Sequence, residues 1–272
     1  MLPGFDGYLI SSAFIEGQGA ALAGAAPIEE AHRRLIAWRT RCGALGPAST
    51  PRALFQAAAT PVLDALGFAP PTQVGPAGPG LAATLRVDNR TVALLVTPWA
   101  EPLDPLWRVA VTEAMRRSAS WCILFDGLRL RIVDASRLYA RRYVEFDLDL
   151  ALDHRQSFAA LWRTASASAL AVAPEDPGSL HALVTASDLH ASGVCRSLRD
   201  GVLAASGDVL TALLSSRRKV RLPVPRRAEG KADATYSERH DATYSARHDA
   251  THSDRHDATH SDRYVVSGLS RT

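Results

Sequence analysis

A chain of 272 residues, 47% hydrophobic and 22% charged, can hold one large domain or two small ones around a packed core, which excludes a wholly disordered polymer. A formal net charge of +3 is no nucleic-acid signature by itself, so such a role has to rest on clustered cations. Cys42, Cys122 and Cys195 are odd in number and far apart, which excludes a legible disulfide framework or a CxxC metal pair.

The N-terminus lacks the positive n-region of a signal peptide, and no apolar run approaches the ~20 residues that span a bilayer. A cytoplasmic protein without membrane contact is expected. Lysine occurs only at Lys219 and Lys231, so arginine carries the positive charge, and its planar fork suits phosphate.

Residues 1–26 are Gly-rich and weakly patterned, and are expected to form a flexible arm. Gly17, Gly19 and Gly24 depart from the phosphate-loop spacing. Pro27-Ile28-Glu29-Glu30 opens a helix, because proline fits a first turn and acids there complement the helix dipole. Ala31, Leu35 and Trp38 share its apolar face, and Gly43 and Gly46 end it. Ser49-Thr50-Pro51 starts a second helix with a hydroxyl cap, and Pro61 inside it predicts a kink or split. Residues 69–80 read as a loop on composition.

Residues 81–87 and 91–97 read as strands joined by Asp88-Asn89-Arg90. The second is continuously apolar, as in a strand covered on both faces. Residues 102–118 carry Leu103, Leu106, Trp107, Ala110, Ala114 and Met115 at helical spacing. Asp126-Gly127 between two β-rich runs predicts a hairpin, with Arg129 and Arg131 on the face opposite Leu130 and Ile132. Residues 143–146 read as a last strand. Three amphipathic helical segments follow, 156–171, 178–190 and 192–217, with a break at Ser192-Gly193. The expected class is therefore α/β, a small mixed sheet with flanking helices over residues 27–150, a helical extension over 151–218, and a linker with repeats over 219–272.

Residues 233–264 are four copies of an eight-residue unit, DATYSERH, DATYSARH, DATHSDRH and DATHSDRY, with no apolar residue larger than Ala except Tyr. Such units bury nothing on stacking, so a disordered tail is expected rather than a solenoid. His240, His248, His252, His256 and His260 give it adventitious metal affinity rather than a designed site. A perfect eight-residue period fits translation of a tandem nucleotide repeat.

In order along the chain, LFQAAATPVLDALGF, VALLVTPWAEPLDPLWR, WCILFDGLRLRIVDASRLYARRYVEFDLD and FAALWR resemble the N-terminal region of type IIG-like fused restriction endonucleases and adenine-specific DNA methyltransferases. The resemblance covers roughly residues 27–218. It implies a degenerate PD-(D/E)XK-like nuclease domain, in which a carboxylate on one strand and Glu-x-Lys on the next hold Mg²⁺ at the scissile phosphate. Here that second strand ends Val96-Thr97-Pro98, without acid or lysine. The carboxylates nearest to such a role are Asp88, Glu101 and Asp104. A turn residue at Asp88 and a helix-start acid at Asp104 are the alternative reading. Neither the Asn-Pro-Pro-Tyr-type motif nor the Gly-rich strand–turn for S-adenosylmethionine is present.

The resemblance therefore implies a truncated N-terminal part of a restriction–modification enzyme, inactive alone. Its cofactor would be Mg²⁺ if the nuclease works, and its partners DNA and other restriction–modification subunits. The expected DNA contacts are Arg129, Arg131, Arg137, Arg141 and Arg142, with Tyr139 and Tyr143 interleaved; the alternative is a solvated basic face compensated by Glu145, Asp147 and Asp149. Two further readings are an active Mg²⁺-dependent endonuclease with a non-standard site, and a protein-interaction module.

Overall fold

The computed structural model describes residues 2–22, 26–137, 140–171 and 173–219. Tyr139 and the repeats lie outside these residues, so the expectations placed on them are not addressed. Seven strands form one sheet: β1 (Phe5–Gly7), β2 (Thr72–Ala77), β3 (Gly80–Val87), β4 (Arg90–Val96), β5 (Trp121–Phe125), β6 (Arg129–Asp134) and β7 (Tyr143–Asp147). Their spatial order is β1-β7-β6-β5-β4-β3-β2. Every neighbouring pair is antiparallel except β4 and β5, which run parallel. A parallel pair needs a crossover, and helix α5 (Trp107–Arg116) supplies it.

The apolar run of β4 follows from this position. Val92, Leu94 and Val96 enter the larger core on one face of the sheet, and Ala93 and Leu95 the smaller core on the other. Strand β5 divides likewise, with Ile123 and Phe125 on the first face and Cys122 and Leu124 on the second. Helix α5 covers the smaller core through Trp107, Ala110 and Ala114.

The larger core is covered by α1 (Ser12–Leu22), α2 (Ala26–Cys42), α3 (Pro51–Leu54), α4 (Thr60–Ala65), α6 (Leu148–Asp153), α7 (Arg155–Ala165) and α8 (Ala167–Ala171). Thr50 caps α3, its hydroxyl accepting from the Ala53 N–H at 3.2 Å. The expected disturbance at Pro61 is a π-helical turn over Phe55–Ala59. Pro61 has no N–H for the Ala57 carbonyl, and the Cys42 thiol lies 3.4 Å from that oxygen. Trp38 Nε1 donates to the neighbouring Ala58 carbonyl at 3.1 Å, so α2 occupies the acceptors this turn exposes.

Four expectations are corrected. Residues 1–26 are not an arm throughout. Phe5 pairs with Phe146 as β1 seals the sheet edge, their rings meeting edge to face at 5.4 Å, and α1 follows. Gly7 permits this, because a Cβ there would fall 2.2 Å from the Tyr143 carbonyl oxygen. Residues 69–80, expected as a loop, contain β2, which tolerates Pro76 because it is the outermost strand.

The hairpin turn also sits one residue later than Asp126-Gly127. Phe125 pairs with Leu130, and Asp126 closes onto the Arg129 carbonyl. The buried Asp126 carboxylate accepts from the Leu128 and Arg129 N–H groups, which draws the aspartate into the closing pair. Gly127 adopts φ +94 there, and a Cβ would stand 2.5 Å from the Trp99 ring.

Finally, α9 (Leu180–Lys219) is one helix of 40 residues with no break at Ser192-Gly193. The Ser192 hydroxyl donates to the Asp188 carbonyl within the helix at 2.9 Å. Leu180, Leu183, Val184 and Ser187 are buried, whereas residues 191–216 are exposed throughout. At about 1.5 Å per residue, α9 leaves the body as a rod on the order of 40 Å long. No helix among the described residues is long and apolar enough to cross a membrane.

Candidate functional site

The five arginines singled out in the sequence fall into two groups and one outlier. Arg129 and Arg131 project from one face of β6. The cross-strand register sets Arg131 directly opposite Glu145 of β7. Arg131 Nε donates to Glu145 Oε2 at 2.6 Å, and its Nη1 to Asp104 Oδ1 at 2.7 Å. Its guanidinium lies over the Tyr143 ring, 3.9 Å from the centroid. Arg129 Nε donates to Asp126 Oδ2 at 2.8 Å and its Nη2 to the Glu101 carbonyl at 3.0 Å. Its Nη1 stands 3.9 Å from Glu145.

These contacts form a clamp in which each buried cation is matched by carboxylates. Arg131 retains only 6% of its side-chain exposure. Burial works against its charge, but the hydrogen bond to Asp104 and the Glu145 carboxylate outweigh it, so its pKa lies above the usual arginine value. Burial, partly offset by Arg131, pushes the Tyr143 phenol upward. A cation so engaged cannot take a phosphate without leaving the buried Glu145 with only Arg129, 3.9 Å away.

The second group surrounds Asp188 of α9. Arg142 donates to both Asp188 oxygens, at 2.9 and 2.6 Å, and to the Leu9 carbonyl at 2.9 Å. The Asp188 hydrogen bond raises its pKa against the opposing effect of burial. Arg137 stands 3.9 Å from both Asp134 and Asp188 and is half exposed. Arg141 is exposed, adopts φ +43, and has no ion pair among the described residues. Of the expected compensating acids, Glu145 binds the clamp, Asp147 caps α6 through the Leu150 N–H, and Asp149 is exposed.

The three candidate carboxylates do not converge. Asp88 occupies the β3–β4 turn with φ +52, while Glu101 and Asp104 follow the opposite end of β4. Seven residues of strand separate those ends by roughly 20 Å. Asp88 is thus a turn residue, Asp104 holds Arg131, and Glu101 contributes its carbonyl to Arg129. Where Glu-x-Lys would stand, at Val96-Thr97-Pro98, Val96 and Thr97 are fully buried, and Leu81 of β3 faces Val96. The described residues contain no group of three or more His, Cys, Asp or Glu able to hold a metal ion.

Sequence reading missed two features. The first is a cavity of about 380 Å³ at the base of α9, lined by residues that include Asp6, Tyr8, Arg142, Asp188 and Ala191. Its walls come from β1, the segment after it, and α9, so the sequence held no local signal of it. The second is the exposed apolar stripe along α9. Its signal was present, because the apolar spacing continues to Leu213 and Leu214. The chain matches no protein-family model, no curated protein and no solved structure.

Proposed function

We propose that this chain is a non-catalytic α/β domain of restriction–modification type that works through protein contact, with α9 as the contact element. A mixed sheet with helices on both faces is the scaffold that the resemblance implies. Of the residues that would cut or grip DNA, Asp104, Arg129, Arg131 and Arg142 are committed to partners in the clamp and around Asp188. Residues 1–219 carry 22 Lys and Arg against 20 Asp and Glu, which leaves little field to attract a polyanion. The observation that carries the reading is α9, which bears nine of the exposed large hydrophobic residues, Leu198, Val202, Val209 and Leu213 among them.

The test is incubation of the full chain with supercoiled plasmid and Mg²⁺ or Mn²⁺, followed by a gel-shift titration from about 0.05 M salt upward. Unchanged plasmid and no salt-sensitive shift support the proposal. Nicking that stops on chelation overturns it. Tight, salt-sensitive binding that is lost in the Arg137→Ala, Arg141→Ala variant would move the working surface to DNA.

A further inference from the structure

We infer that α9 pairs antiparallel with α9 of a second copy of this chain, each rod tip seating against the other copy's cavity at the rod base. The inference rests on the proposed contact role of α9 and names its partner.

On a helix of 3.6 residues per turn, Ala191, Val194, Leu198, Val202, Val209 and Leu213 fall on one side. Leu180, Val184 and Ser187 share that side and are buried against this chain's own body. The exposed stripe therefore continues a packed face beyond the point where the body ends. Arg196, Asp200 and Asp208 lie off it, and Arg199 lies at its edge. Gly193, Gly201 and Gly207 each weaken a solvated helix by about 1 kcal/mol relative to Ala, so a bare rod of this composition has little intrinsic stability and calls for cover.

The 53 residues given after α9 are poorly suited to supply that cover. Residues 220–272 hold only Val220, Leu222, Val224, Val265, Val266 and Leu269 as large aliphatics, separated by the polar repeats. A second copy is suited to it. Pairing over residues 191–213 runs about 35 Å. It brings together roughly ten apolar side chains per copy; at on the order of 60 Å² each, the two copies bury roughly 1,200 Å², the lower bound of a standard specific interface.

Direction follows from the base of the rod. A parallel partner helix would have to lie alongside residues 180–187, on the side that the body already fills. An antiparallel partner avoids the body and brings position 213 opposite position 191, with Val202 at the two-fold axis. Ala191 lines the 380 Å³ cavity, so the arriving tip meets it there. Leu203 and Leu210, 64% and 61% exposed, flank the stripe in the tip half, where the partner's body would stand.

The test is sedimentation equilibrium of the full chain, expected at twice 29.2 kDa. The Leu198→Glu, Val202→Glu variant should sediment at half the wild-type mass with the body's thermal transition retained. Leu189→Glu, on the far side of the rod, should leave the mass unchanged. Under mild oxidation Val202→Cys should link two copies, whereas native Cys195, close to the stripe but away from the axis, should not. A monomeric wild type, a Glu variant of undiminished mass, or linkage through Cys195 overturns the antiparallel pairing. A monomeric wild type leaves the non-catalytic reading standing, whereas Mg²⁺-dependent nicking removes that reading and leaves the pairing in place.

Discussion

The clamp on β6–β7 and the rod of α9 invert what their compositions suggest. The clamp gathers Arg129, Arg131, Asp104, Asp126 and Glu145, a set that looks built to bind something, yet its cations are matched within the chain. The rod is mostly Ala, Leu, Val, Ser and Gly, a composition that looks like filler, yet it presents the unmatched surface. The difference teaches that charge density is a poor guide to function until partners are counted. An arginine with two carboxylates at hydrogen-bond distance is part of the framework, whereas a leucine with nothing over it is an interaction in waiting.

Substitutions can break this comparison or sharpen it. The largest expected effect is at the centre of the clamp. Arg131→Ala strands the buried Glu145 carboxylate and should cost about 3–5 kcal/mol in urea unfolding, while Arg131→Met with Glu145→Leu should recover most of that. A small loss in the single variant would return Arg131 to the pool of binding residues. Next is the turn that holds Arg129 in place. Gly127→Ala combines φ +94 with a contact on Trp99 and should cost roughly 1–3 kcal/mol by the same measurement.

A third effect depends on pH. The Cys122 thiol is fully buried in the smaller core, and burial pushes its pKa far up from 9.0. The unfolded thiol ionises above its own pKa while the folded thiol stays neutral. Stability contributed by Cys122 is therefore complete below about pH 9 and falls above it, by up to about 1.4 kcal/mol per pH unit. The difference between wild type and Cys122→Ala in urea midpoint should shrink from pH 8 to pH 10.5, and a difference that stays constant would show that the thiol ionises in place. The smallest effects are at the exposed ends of the comparison. Arg141→Ala and Leu189→Ser should each change stability by less than about 0.5 kcal/mol, and a larger change would reveal a contact absent from this arrangement.

Much of the sheet was legible because its strands announce themselves locally. The apolar run of β4 and the β5–β6 hairpin follow from composition and one turn signal, and the mixed sheet with flanking helices follows from their order. Strands β1 and β2 were not legible. Phe5-Asp6-Gly7 and the Gly-Pro segment of β2 have no strand pattern of their own and are ordered by a neighbour's hydrogen bonds at the two sheet edges. The clamp was half legible. The arginines and Glu145 could be seen to alternate along their strands, but Asp104 reaches Arg131 from 27 residues away and Asp188 reaches Arg142 from 46. Spacing rules do not extend over such separations. The continuity of α9 was missed because Ser192-Gly193 reads as a stop in sequence, whereas the serine hydroxyl is satisfied within the helix and the glycine meets no obstacle.

The pairing of Phe5 with Phe146 has a consequence for how the chain comes into being. In a polypeptide made from its N-terminus, the first strand to emerge must wait while some 140 residues follow before its neighbour exists. Closing so long a loop is entropically mild, because each doubling of length adds only about 0.6 kcal/mol, but it is slow relative to local pairing. Until Tyr143–Asp147 appears, the sheet can grow from β2 through β6 while its other border stays unpaired. The sheet is therefore completed last at its β1 edge, with Phe5–Gly7 locking Tyr143–Asp147 in place.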